Sequence, residues 1–166
     1  MSGRIAGVAA ILAAGAISVA AGAAQADPIK RSGPADAPIA ATVSLPANVR
    51  MVYVSGTVPD AVKADAPQGS VERYGDTEAQ TRSVITKIAA SLKAEGMGLG
   101  DVVMMRVFLV APPGQSRMDF AGMMRGYRAY FGTAEQPNKT ARSTMEVAGL
   151  VDPGFLVEIE VTAARR

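Results

Sequence analysis

Two short segments near the C-terminus alternate in character with a period of two, and such a segment is a strand with two unlike faces. One is Thr140-Ala141-Arg142-Ser143-Thr144-Met145-Glu146-Val147, the other Phe155-Leu156-Val157-Glu158-Ile159-Glu160-Val161-Thr162. In the second, Phe155, Val157, Ile159 and Val161 fall on one face, with Glu158 and Glu160 on the other. In the first, Arg142, Thr144 and Glu146 share a face. Paired with polar faces matched, these strands bring a guanidinium and a carboxylate together on a sheet surface. An Arg fork grips a substrate carboxylate through two parallel hydrogen bonds. A Glu beside it can position or deprotonate a water. The expectation is a minimal site for hydrolysing a small acid. The plainer alternative is a cross-strand ion pair between Arg142 and Glu158 or Glu160, which on a surface contributes only about 0–1 kcal/mol.

The chain has no His and no Cys. A Ser-His-Asp triad, a Cys nucleophile and zinc sites built on Cys or His are therefore excluded, and no disulfide constrains the fold. Chemistry is left to Arg, Lys, Asp, Glu, Tyr, Ser, Thr, backbone groups or a bound cofactor. Gly96-Met97-Gly98-Leu99-Gly100 lacks the spacing of a dinucleotide fingerprint and follows a helix rather than a strand. It reads as a helix C-cap and turn. A formal charge of +2 and few aromatic residues make a poor footprint for nucleic acid.

Residues 1–26 have the pattern of a secretory signal peptide. Arg4 supplies the positive end, Ile5 to Ala23 is an uncharged run, and Ala24-Gln25-Ala26 forms the cleavage signal before Asp27-Pro28. The abundance of Ala and Gly over Leu favours a cleaved signal over a retained anchor. The expected location is the periplasm or the exterior, with no membrane contact after cleavage. Residues 27–45, rich in Pro and Ala, read as a flexible leader, and residues 46–166 as one domain.

Within that domain, Arg50 to Ser55 reads as a strand and Asp60 to Gly75 as a loop. Thr77 to Glu95 reads as a helix opened by a Thr77/Gln80 capping box, with Val84, Ile85, Ile88 and Leu92 as its apolar stripe. Val102 to Val110 is an apolar run suited to a buried strand. Met118 to Phe131 reads as a second helix whose Phe120, Met123, Met124, Tyr127 and Phe131 form a core stripe. The order of elements gives an α+β domain, a sheet with two helices packed on one face. The other face carries charged and apolar residues together, and self-association would cover it.

Taken together, several segments resemble the Rid family, the YjgF-like reactive intermediate deaminases with the older label L-PSP endoribonuclease. They are Val54-Ser55-Gly56, Glu78-Ala79-Gln80-Thr81-Arg82, Gly100-Asp101-Val102-Val103, Tyr127 to Phe131, Ala141-Arg142-Ser143 and Val157-Glu158-Ile159-Glu160. The resemblance implies a chorismate-mutase-like α+β fold with a mixed sheet, and a homotrimer whose sheets close a central barrel with a ligand cleft at each subunit interface. It implies hydrolysis of reactive enamines and imines, such as 2-aminoacrylate and 2-iminopropionate, to 2-oxo acids and ammonia. Arg142 would bind the substrate carboxylate, Glu158 would hold the water, and Ser55, Gly56 and Thr144 would line the cleft. An imine is already electrophilic, so neither a metal nor an organic cofactor is called for. The chain departs from the family pattern where Ala40-Ala41-Thr42 replaces a Gly-Pro-Tyr, where Met124 replaces a cleft Asn, and where Thr144 replaces a cleft Cys. The alternative function is a non-catalytic periplasmic binder of small carboxylates or 2-oxo acids.

Overall fold

The computed structural model describes residues 28–166, so the expected signal peptide lies outside the described residues. The first elements are β1 (Lys30–Ser32), β2 (Thr42–Ser44), β3 (Arg50–Thr57) and a single-turn helix α1 (Val71–Tyr74). They are followed by α2 (Thr77–Ala94), β4 (Val102–Leu109), α3 (Phe120–Arg128), β5 (Ala141–Glu146) and β6 (Val157–Arg165). Strands β1 and β2 form an antiparallel pair, and the other four form a mixed sheet in the order β3-β6-β4-β5. β4 pairs antiparallel with β6 and parallel with β5. The chain must cross over between β4 and β5 to run parallel, and α3 lies on that crossover.

Both long helices cover one sheet face. Val84, Ile85, Ile88 and Leu92 of α2 and Met123 and Tyr127 of α3 are buried against Met105, Val107 and Leu109 of β4 and Val157, Ile159, Val161 and Ala163 of β6. The helices approach closely because α3 offers Gly126, where an added Cβ would lie 2.7 Å from Thr81 Cβ. Above this contact Glu78 accepts hydrogen bonds from Arg82 and, at 2.6 Å, from Arg125, tying α2 to α3.

The cap of α2 differs from the expected box. Asp76, not Thr77, is the N-cap, accepting from Ala79 N at 2.8 Å. Gln80 is fully buried and spans three segments. Its amide donates to Gly75 O and Gly154 O, each at 2.9 Å, and its oxygen accepts from Leu156 N at 2.7 Å. A buried amide satisfied on both sides is worth more to the fold as a junction than as a cap. At the other end Gly96, with φ 70°, closes a Schellman motif: Gly96 N donates to Lys93 O and Met97 N to Leu92 O. The Gly96 to Gly100 segment thus begins with the helix C-cap and turn that its sequence predicts.

The expected leader is not loose over residues 30–44, and α1 occupies part of the expected 60–75 loop. Arg31 of β1 donates to Lys139 O and Gly100 O at 3.0 Å and to Val102 O at 3.2 Å, clipping the β1–β2 pair to the main body. Side-chain-to-backbone clips of this kind leave no trace in hydrophobic periodicity.

Candidate functional site

Register decides which residues share a face. Directly paired residues of neighbouring strands point the same way. Arg142 pairs with Met105 and Thr144 with Val107, both buried on the helix side. Glu158 pairs with Phe108 and Glu160 with Arg106, on the opposite side. The expected meeting of Arg142 with Glu158 within one chain is therefore overturned: β4 lies between their strands, and their side chains project from opposite faces. The alternative ion pair fails for the same reason. Glu160 pairs with Arg106 instead, at 2.6 Å.

Arg142 lies beneath α3. Its Cζ sits 4.4 Å from the centroid of the Tyr127 ring and 5.9 Å from that of Phe120. Nη2 donates at 3.1 Å to the thioether sulfur of Met124. Nε and Nη1 are buried and have no hydrogen-bond partner, and the same holds for Thr144 Oγ1 two residues along. No carboxylate among the described residues reaches the guanidinium. Burial pulls its pKa below the usual guanidinium value, and nearby Arg128 adds to that effect. Tyr127 is buried, stacks on Phe131 at 4.9 Å and donates to Pro38 O at 3.2 Å. Burial pushes its phenol up to about 12, with the charge of Arg142 opposing, so it is a neutral platform for the cation.

A second group lies at the far edge of the sheet. Ser55 and Gly56 form a bulge in β3 between the Val54–Val161 and Thr57–Ile159 pairs. The Glu158 carboxylate packs over Gly56 so closely that an added Cβ would lie 1.9 Å from its Oε1. The named site residues thus fall into two clusters: Arg142 and Thr144 on edge strand β5, and Ser55, Gly56 and Glu158 at the β3 edge. Tyr127 is in the core, as its helical spacing predicts, and also lies under Arg142; Phe120 faces Arg142 but is 45% exposed rather than core. The signal was present in sequence as a stripe at positions 120, 124 and 127, but a stripe that packs on a core and one that packs on a cation read alike.

The chain is thus a two-layer α+β domain with a mixed sheet, carrying at one sheet edge a buried guanidinium with no carboxylate partner among the described residues. Residues 35–165 match the family described as Endoribonuclease L-PSP, and the chain belongs to this family, the YjgF-like or Rid proteins. A RutC family protein of Pyrococcus horikoshii is 35% identical over 112 residues, covering 68% of this chain and 77% of that protein. A 2-iminobutanoate/2-iminopropanoate deaminase of Salmonella typhimurium is 34% identical over 116 residues, 70% of this chain and 80% of its own length. The crystal structure of the YjgF gene product of E. coli matches with a TM-score of 0.54 at 30% identity, over 82% of this chain and 99% of that one. The α+β fold with a mixed sheet, expected from the resemblance, is the fold observed.

Proposed function

We propose that this protein hydrolyses small 2-imino acids and their enamine tautomers, of the 2-iminopropionate and 2-aminoacrylate type, to 2-oxo acids and ammonia. The observation that carries the reading is Arg142: a buried cation with two idle nitrogens and a weak thioether acceptor on the third. A buried charge without a counter-charge costs several kcal/mol as an order of magnitude, and a substrate carboxylate supplies the missing partner. The 34% identity to a protein named as an imine deaminase supports the same chemistry.

The reaction needs a water as well as an anchor. Water attacks the imine carbon, forming a C–O bond as the C=N electrons move to nitrogen. The carbinolamine then expels ammonia as the C–N bond breaks and the carbonyl forms. Glu158 holds the water, takes its proton and passes it to the imine nitrogen; it then carries the carbinolamine hydroxyl proton to the same nitrogen, which leaves as ammonia. No metal or organic cofactor takes part. Since Arg142 lies on edge strand β5 and Glu158 on β6, next to the β3 edge, the working site joins the β5 edge of one protomer to the β3 edge of another. A homotrimer whose sheets close into a barrel leaves no free strand edge. The bare sheet face supports such closure, since Met51, Tyr53 and Met145 are exposed there, Tyr53 at 73%. Export to the periplasm, after cleavage behind Ala26, fits the N-terminal pattern.

The test is loss of freshly generated 2-iminopropionate and release of ammonia by the purified protein, beside Arg142→Ala. Turnover abolished by the substitution is the expected result; an unimpaired variant overturns it. One observation favours the non-catalytic carboxylate binder, namely the Met124 sulfur lodged against the anchoring Arg. Saturable 2-oxo-acid binding without turnover of any imine would decide for that reading.

A further inference from the structure

We propose that the substrate's carbon substituent is a long alkyl, thioether or aromatic group rather than hydrogen or methyl, and that Met124 and Phe120 select it. This rests on the imine-deaminase reading and names the substrate class for the same site.

The geometry around Arg142 points this way. A guanidinium offers a carboxylate two forks, Nε with Nη2 along its side and Nη1 with Nη2 at its end. Both use Nη2, the nitrogen on which the Met124 sulfur rests at 3.1 Å. A bidentate carboxylate must therefore move that sulfur aside. A thioether is a weak acceptor, so the exchange favours the carboxylate. Met124 has an unbranched, adaptable side chain. Displaced from Nη2, it remains beside the bound acid, against whatever the α-carbon bears.

The second wall is Phe120, in the first turn of α3. Its ring centroid is 5.9 Å from the Arg142 Cζ, yet its side of the helix is open, and the residue is 45% exposed. Tyr127 closes the floor under the guanidinium, its hydroxyl already committed to Pro38 O. The polar groups left over, Nε and Nη1 of Arg142 and Oγ1 of Thr144, lie on the strand. The surroundings of the guanidinium are thus polar on the strand side and apolar along α3. A substituent of one hydrogen or one methyl leaves Phe120 and Met124 uncovered. A four-carbon or aromatic substituent covers both, and each methylene buried there raises selectivity roughly threefold to fourfold.

The experiment is a series of 2-imino acids with methyl, ethyl, isobutyl, methylthioethyl and benzyl substituents. Each is generated in situ from its amino acid by an amino-acid oxidase and followed as imine loss. The expected result is a kcat/KM that rises at least tenfold from methyl to isobutyl or methylthioethyl. The gradient should collapse in Met124→Asn and in Phe120→Ala, with the parent thermal midpoint as the control for folding. Calorimetric binding of the matching 2-oxo acids gives the same order without requiring turnover. Turnover that depends on Arg142 but is flat across the series, or highest for methyl, overturns the selectivity and leaves the deaminase reading standing. Failure to turn over any member overturns the deaminase reading, and with it a proposal framed as substrate choice. A graded affinity for 2-oxo acids would then mark the pocket of a binder.

Discussion

A guanidinium over a tyrosine ring, with no carboxylate in reach among the described residues, is a poor choice for stability and a good one for binding. The cation–π contact with Tyr127 is worth about 0.5–2 kcal/mol, less than the desolvation of the charge. Arg142→Met should therefore leave the thermal midpoint unchanged or raise it, by up to about 2 kcal/mol of stability. Imine turnover should fall about 100-fold or more, the usual cost of losing a charged contact to the reacting ligand. Thermal melts run beside the imine assay separate the two effects; a large fall in midpoint with turnover intact would show a structural Arg instead. Tyr127 makes a second residue-scale prediction. Its phenol stands at about 12 against an ordinary 10.0, mainly through burial. The folded state keeps a proton that the unfolded chain releases, so this contribution is full below pH 10 and is lost as pH rises towards 12. Two pK units correspond to about 2.7 kcal/mol. In Tyr127→Phe the loss of stability between pH 9 and pH 12 should shrink, read as urea midpoints, while at neutral pH the variant gives up about 1 kcal/mol with the Pro38 hydrogen bond.

At the scale of elements, the β3 bulge is where geometry is most exacting. Gly56 does not have a left-handed backbone, so its glycine is required by the Glu158 carboxylate above it rather than by φ. Gly56→Ala should displace only the flexible end of Glu158. Stability should change by no more than about 0.5 kcal/mol, while turnover falls at least tenfold on the scale expected for a misplaced catalytic group. A variant with normal turnover would release Glu158 from its water-holding role. The same element-level view shows what could be read in advance. The apolar stripe of α2 announces itself by period, β4 by its apolar run, and the stop of α2 by Gly96. The alternation of β5 and β6 was equally plain, and it correctly split Glu158 and Glu160 from Val157, Ile159 and Val161. What alternation cannot give is strand order. Running α3 across between β4 and β5 makes that pair parallel and inserts β4 between the two C-terminal strands, so the polar faces of β5 and β6 never meet. The β1–β2 pair and the Gln80 junction were hidden for a different reason: single polar side chains bonding to distant carbonyls hold them, and no local pattern encodes such bonds.

For the whole molecule, the separation of the two clusters is the argument for assembly. On the proposed reading the β5 edge carries the anion anchor, and the β3 edge carries the bulge over which Glu158 of the adjacent β6 lies, and one chain cannot bring its own two edges together. Neighbouring copies can, and closed rotational symmetry would repeat the junction until no edge remained. This makes a prediction that a self-contained site would fail. Arg142→Ala and Glu158→Gln each disable a different half of every junction in a uniform assembly, so each variant alone should be inactive. If the two proteins are unfolded together, mixed in equal amounts and refolded, a junction is intact when it draws Arg142 from a Glu158→Gln chain and Glu158 from an Arg142→Ala chain. With random mixing about one junction in four meets both conditions, and about a quarter of parent activity should return. Mixing without subunit exchange should restore none. Were the anchor and the water to act within one chain, every chain in the mixture would carry a disabling substitution and refolding would recover nothing. The size of the refolded species, measured by light scattering, fixes the number of copies independently. A monomer at all concentrations would remove the physical basis for joining the two edges, because Arg142 and Glu158 would then remain on opposite faces of a single sheet.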